Sequence, residues 1–448
     1  MKTSRILFVA PSAYTLSGLA TWLDYLVPAL RALGWDVVLG LVQGARFHDP
    51  RAYLATHPEA RLVFIPCSTG TPEGRRRALK KVLQRIRPDL VVSVNIPDVY
   101  STVQELRAAG RFAPRCVMAN HGLMSELVTD AACYAPVLDA VVSANRLGCA
   151  LLERAGISAE RVHYAPCGVA CEPVLRERVS RVTEPFRILY CGRFDQQQKR
   201  VLDIPGILHE TSRWIGAVIC EFVGDGPEKE TLRQQLAPVA PGVRADFAGY
   251  LSPPEMHQAY LRADALLVTS AWETGPLVVW EAMAAGLPVV SSRYLGSGLE
   301  SALVDGVNCL QFDVADIQGA AGALAQLATG PELADRLRRA AHAMVSARYS
   351  RPASVEMWDR ALRQALAAPA LPPPPALPAV HATGRLDRWL GPSQAENIRS
   401  LLGLRMSHRN AGGEWPYTHS GLAPEQAEEF SKVAEKLDRP VAGQTSKD

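Results

Sequence analysis

At 448 residues the chain has length for about three domains of ordinary size, which excludes a single small module. Hydrophobic residues make up 48% and charged residues 21%, globular values that exclude wholesale disorder, collagen and coiled-coil fibres. The net charge of +3 does not point to nucleic acid, although 21 Lys and Arg against 15 Asp and Glu make residues 1–180 the basic part.

The first apolar run, Ile6–Ala10, follows a charged head but stops after a strand's length at Pro11, so it reads as strand and not as a signal peptide. Ile6–Leu23 carries no charge, yet Pro11, Ser12, Thr15, Ser17, Gly18 and Thr21 break it too often for a membrane helix. Strands are predicted at Arg5–Ala10, Asp36–Val42, Arg61–Pro66, Leu90–Asn95, Arg115–Asn120 and Ala140–Asn145, alternating with helical patterns. After the segment Arg176–Pro185 the pattern restarts at Phe186–Cys191, Ala217–Gly224, Val243–Gly249, Ala265–Ser270 and Leu287–Ser292. Strand–helix alternation of this kind signals parallel sheets, here two doubly wound halves joined near residue 180, with ligands expected at the strands' carboxyl ends in a cleft between the halves. Nine cysteines, an odd number without a C-x-x-C pair, suggest a reducing, cytoplasmic setting rather than disulfides or zinc.

Within the first half, Arg75–Arg87 places Leu79, Val82, Leu83 and Ile86 on one face and seven cations elsewhere. A sheet-covering helix with a solvated face is the favoured reading, with peripheral contact to an anionic membrane as its companion. A last helix is expected at Ser354–Ala367. Residues 368–380 contain a run of prolines that forbids helix or central strand and reads as a stiff linker. The extension 381–448 contains two helical stretches, Ser393–Leu404 and Ala423–Leu437, around a loop from Met406 to Ser420. Whether it folds back, mediates assembly or stays loose is open at this level.

Chemistry concentrates in the second half, where four punctuated segments each follow an apolar strand: Gly192-Arg193 to Lys199, Val223-Gly224-Asp225-Gly226-Pro227, Glu273 to Pro288, and Gly296-Ser-Gly298-Leu-Glu300. Pro276 suits the first position of a helix running to about Ala285, which would turn the amides of Leu277, Val278 and Val279 outward as an anion site. Glu273 precedes that helix and Glu281 lies roughly 7.5 Å along its axis, so the two carboxylates could hold neutral hydroxyls on either side of a diphosphate. Arg193 and Lys199, six residues apart in one loop, could meet a phosphate cluster. No Asp-x-Asp and no cluster with metal-ligand spacing occurs, which disfavours a metal ion as the partner of that diphosphate.

The order Gly-Arg…Lys, Gly-Asp-Gly-Pro, the E-x7-E of Glu273 and Glu281, and the Gly-rich segment ending in Glu300 before Asp305-Gly306-Val-Asn308 resembles the retaining, family 4 glycosyltransferases over about residues 5–366. The resemblance implies an α/β GT-B fold, two facing Rossmann-like domains with a cleft between them and here a C-terminal extension. It makes 1–180 the acceptor-side domain and 181–367 the domain for a nucleoside diphosphate sugar donor. It places Arg193 and Lys199 on the donor diphosphate, Glu273 with the Leu277 and Val278 amides at sugar and phosphate, and Glu281 on the ribose. The nucleobase falls near Gly224, Tyr250 and Leu251. Asn120-His121-Gly122 resembles the family's His-Gly, with His121 facing the donor sugar. Gly18 matches one half of the family's Gly-Gly, the other being Ser17. Cys167 stands in a Pro-x-Gly-Val turn and is not read as a nucleophile.

The implied reaction moves a sugar, with retained configuration and without metal or cofactor, to a glycan, lipid-linked or small-molecule acceptor in the cytoplasm or at the inner membrane surface. A catalytically silent nucleotide-sugar or glycan-binding subunit and a nucleotide-sugar epimerase on the same fold are the alternatives.

Overall fold

The computed structural model describes residues 3–12, 18–58, 60–175, 185–237, 242–375, 384–421 and 423–439. Ser17, the junction 176–184 and the linker's residues 376–380 lie outside them. The chain divides into two compact units.

Unit 1 comprises Met1–Ala144, Gly148–Ala165 and Val355–Ser431. Its strands are β1 (Arg5–Ala10), β2 (Asp36–Gln43), β3 (Leu62–Pro66), β4 (Leu90–Val94), β5 (Arg115–Asn120), β6 (Ala140–Ser143) and β7 (Val162–Tyr164). They form one parallel sheet in the order β3-β2-β1-β4-β5-β6-β7. Leu7, Val9, Val91 and Met118 bury one sheet face against Leu79, Val82, Leu83 and Val103 of the covering helices. Burial on both faces is why these strands read as continuous apolar runs rather than alternating ones.

Unit 2 comprises Asn145–Leu147, Pro166–Ser354 and Lys432–Asp448. Its strands are β8 (Phe186–Cys191), β9 (Val218–Val223), β10 (Val243–Gly249), β11 (Ala265–Val268), β12 (Val289–Ser292) and β13 (Leu310–Phe312), parallel in the order β10-β9-β8-β11-β12-β13. One face packs on a cluster around Trp280, Met283 and Tyr349, the other on one around Phe194, Ile207 and Phe222. In each sheet the strand order reverses beside the first strand, between β1 and β4 and between β8 and β11. Such reversals leave a crevice at the carboxyl ends where ligands of open α/β sheets bind.

The stretch beyond residue 381 does not form a unit of its own. The helix Pro392–Leu402 docks through Glu396, whose two carboxylate oxygens accept from the Thr69 and Thr71 hydroxyls at 2.6 Å each. Trp415 is fully buried in the unit 1 core, and the Asp438 carboxylate lies in unit 2. The helix Pro72–Ile86 covers the sheet as expected, and four of its cations are engaged internally. Arg75 pairs with buried Asp98, Arg76 and Arg77 with Glu73, and Lys80 with Glu105.

Candidate active site

The loop after β8 and the segment after β11 meet at the unit 2 reversal, because these strands are neighbours in the sheet. Asp195 folds the loop: its Oδ1 accepts from the Gln198 amide at 2.7 Å and its Oδ2 from Arg193 Nε at 2.6 Å. Gln198 then ties the loop to the next segment, its carbonyl accepting from Ala271 N at 2.7 Å and its side-chain amide donating to Trp272 O at 3.2 Å. The result brings Lys199 Nζ to 2.5 Å from Glu273 Oε1, which also accepts from Ser270 Oγ at 2.6 Å. Glu273 is only 6% exposed, so its charge depends on these two donors. Arg193 is mostly exposed, and its Nη2 donates to Gln198 Oε1 at 2.8 Å.

Pro276 is the residue before the helix Leu277–Ala284, one position earlier than the sequence reading placed it. Its carbonyl accepts from Val279 N at 2.9 Å, so Val279 is not among the outward amides. Those left at the helix start are Leu277 and Val278, as a ligand for the helix's positive end would require. One turn on, Glu281 Oε2 accepts from Tyr260 Oη at 2.8 Å. Burial nevertheless raises the Glu281 carboxyl above its ordinary value, and the Tyr260 hydroxyl offsets only part of that.

Gly224 has φ +126° and would, with a Cβ, stand 2.1 Å from Gly192 O. Its glycine is therefore explained by the close crossing of two loops. Its amide donates to Gly249 O at 2.8 Å, which sets Tyr250, 75% exposed, and Leu251 on the same sheet edge.

Glu300 is structural: it is 4% exposed, accepts from Tyr349 Oη, and holds Arg146 N at 2.9 Å. Burial pushes the Cys167 and Cys309 thiols up to about 12, so both are protonated at neutral pH.

In unit 1, His121 follows β5 and Gly18 opens the helix Gly18–Ala32 that follows β1. Trp22 of that helix lies 4.5 Å from the His121 ring at 64° and 5.0 Å from Trp358. This burial lowers the His121 pKa from 6.5 to about 4, so the imidazole is neutral at physiological pH. The unfolded chain takes up a proton on this histidine near 6.5, whereas the folded chain does so only near 4. Stability therefore falls as pH drops through that window, by on the order of 3 kcal/mol in all. His121→Asn should flatten this part of the melting profile. An unchanged slope would assign the acid sensitivity elsewhere.

Sequence reasoning had no signal for Tyr260 beneath Glu281 or Ser270 beside Glu273. It also missed Asp438, whose Oδ2 accepts from Gly296 N at 2.6 Å and Gly298 N at 3.2 Å and whose Oδ1 accepts from Leu299 N at 2.9 Å. Among the described residues, no group of three or more His, Cys, Asp or Glu is placed to hold a metal, and no helix is long and apolar enough to cross a membrane.

Residues 173–344 match the family described as Glycosyl transferases group 1. A glycogen synthase of Mycobacterium tuberculosis is 31% identical over 159 residues, 36% of this chain and 38% of the relative. The chain thus spans well under half the length of this curated relative. Among solved structures, the lipopolysaccharide outer core galactosyltransferase WaaB superposes with a TM-score of 0.64 at 20% identity, covering 80% of this chain and 99% of WaaB. Anabaena HepE, solved in complex with UDP-glucose, gives 0.64 at 19%, with the same coverage. The fold is GT-B, two Rossmann-like α/β units.

Proposed function

We propose that this chain, whose residues 173–344 form a glycosyl transferases group 1 domain, is a retaining, metal-independent glycosyltransferase that takes its sugar from a nucleoside diphosphate donor. The observation that carries the reading is the Lys199–Glu273 pair at the β8/β11 reversal, beside the open amides of Leu277 and Val278. A cation and two helix-start amides are a site for a diphosphate whose charge grows as the sugar departs. Arg193 adds a second cation on the same loop. Glu281 then serves the ribose, Gly224, Tyr250 and Leu251 the base, and Glu273 the sugar end.

The mechanism proposed is front-face substitution, in which the departing diphosphate receives the proton of the incoming acceptor hydroxyl. His121, held neutral, is suited to donate or accept a hydrogen bond on the donor sugar, and the mechanism assigns no protein nucleophile. Gly18 is proposed to approach the donor phosphates. The acceptor is a glycan, a lipid-linked sugar or a small molecule. Peripheral attachment to an anionic membrane through residues 75–87 would fall to Lys81, Arg85 and Arg87, since the other four cations are paired internally.

The test is a donor panel of UDP-, GDP-, ADP- and dTDP-sugars assayed with and without EDTA, beginning with UDP-glucose because HepE holds it. Turnover that survives EDTA and yields a product of retained configuration by NMR is expected. Binding without product would leave the silent binding subunit, an isomerised free donor the epimerase. Loss with EDTA, an inverted product or a covalent glycosyl-enzyme would overturn the mechanism.

A further inference from the structure

The carboxyl end of the unit 1 sheet carries a cavity away from His121. Its walls are the loops after β2 and β3 together with Arg405 of the C-terminal stretch, and its volume is about 360 Å³, ample for a sugar or a phosphorylated sugar. Arg46, Arg51 and Arg405 line it, and all three are exposed and form no ion pair among the described residues. Asp49 also lines it, but its carboxylate caps the helix Pro50–Thr56 by accepting from Arg51 N at 3.0 Å. His48, 1% exposed, places Nε2 3.2 Å from Ala411 O, while its buried Nδ1 has no hydrogen-bond partner among the described residues. With Nε2 donating to that carbonyl, Nδ1 is an acceptor suited to a ligand hydroxyl.

The chain beyond residue 400 builds this cavity. Glu414 accepts from the amides of Arg46 at 2.7 Å, Phe47 at 2.8 Å and His48 at 3.3 Å, which fixes the loop after β2. Residue 44 has to be glycine for this, since a Cβ there would stand 2.1 Å from Glu414 Oε2. Met406 N donates to Thr69 O at 2.8 Å, and His408 Nε2 lies 2.9 Å from Gly70 O, which fixes the loop after β3 and sets Arg405 next to it. Three guanidiniums without carboxylate partners among the described residues, on walls tied down by separate hydrogen bonds, make a site for an oxyanion.

We propose that this cavity binds an anionic group, a phosphate monoester or a carboxylate, carried by the acceptor. The proposal rests on the glycosyltransferase reading for the word acceptor, and on this geometry alone for the anion. β2 and β5 are three strand spacings apart in the sheet, roughly 14 Å, so the anion would sit about two or three sugar units from the hydroxyl that reacts near His121.

Calorimetry on the full chain, with UDP saturating so that Arg193 and Lys199 are occupied, would titrate inorganic phosphate, glucose 6-phosphate, glucuronic acid and glucose. Should UDP not bind, the donor reading has failed separately, and the same titrations are read in a Lys199→Ala background. Binding of a phosphate or of glucuronic acid, weakened at least about tenfold in Arg51→Ala/Arg405→Ala with UDP affinity within about twofold, is expected. Which anion binds identifies the source. Anions bound no better than glucose, or bound equally by the double variant, would overturn the proposal.

Discussion

Lys199→Ala should lower turnover by about 100- to 1000-fold, the usual loss when one donor to a developing anion is removed. Its ammonium lies 2.5 Å from Glu273 Oε1, with side-chain exposures of 18% and 7%, so the substitution also strands a buried carboxylate. That second effect is one of stability, a few kcal/mol for breaking a largely buried pair, and must be separated from the first. The double variant Lys199→Ala/Glu273→Gln does so, because it removes the stranded charge as well. If Lys199 merely compensates Glu273, the double variant regains melting temperature and UDP affinity together, since Glu273 serves the sugar end and not the nucleotide. The expected result is that stability returns while UDP affinity stays weakened in both variants. Undiminished turnover in Lys199→Ala would sink the assignment outright.

The residues of this pair were legible in the sequence, but the pair was not. Lys199 and Glu273 stood out because each follows a β-branched run and a punctuating turn, and the eleven strands found that way all form. The two strands that escaped, Val162–Tyr164 and Leu310–Phe312, are three residues long and too short to show a period. Contacts made across the sheet left no trace: Gln198 to Trp272, Tyr260 to Glu281, and Glu414 and Asp438 to the loops they hold. Each joins a polar side chain to a backbone or side-chain group that is unremarkable in its own neighbourhood. Asp438 reaches Gly296 across 142 positions. The same limit explains the helix Pro72–Ile86, whose apolar face was readable from spacing while the carboxylates neutralising its cations were not.

Glu281→Ala should weaken binding of free UDP and of the intact donor alike, by about 10- to 100-fold, the range for losing hydrogen bonds to a charged group. Glu273→Ala should spare UDP and impair the intact donor, because its carboxylate serves the sugar end. Calorimetry giving the reverse pattern would exchange the two roles. Acidity provides an independent check on Glu281, whose pKa is raised above 4.5 in the folded protein, chiefly by burial. The folded chain then holds this proton more tightly than the unfolded chain, so the group's contribution to stability is greatest below 4.5 and is lost as pH rises through the raised value. Glu281→Gln, which has no charge to bury, should therefore gain melting temperature over wild type on going from pH 4 to 7. Donor affinity moves the opposite way in the wild type, strengthening over the same rise because the ionised carboxylate is the better acceptor for ribose hydroxyls. The glutamine variant should lose that pH dependence. A wild-type affinity that is flat across the window would mean that Glu281 does not touch the nucleotide, whatever its effect on stability.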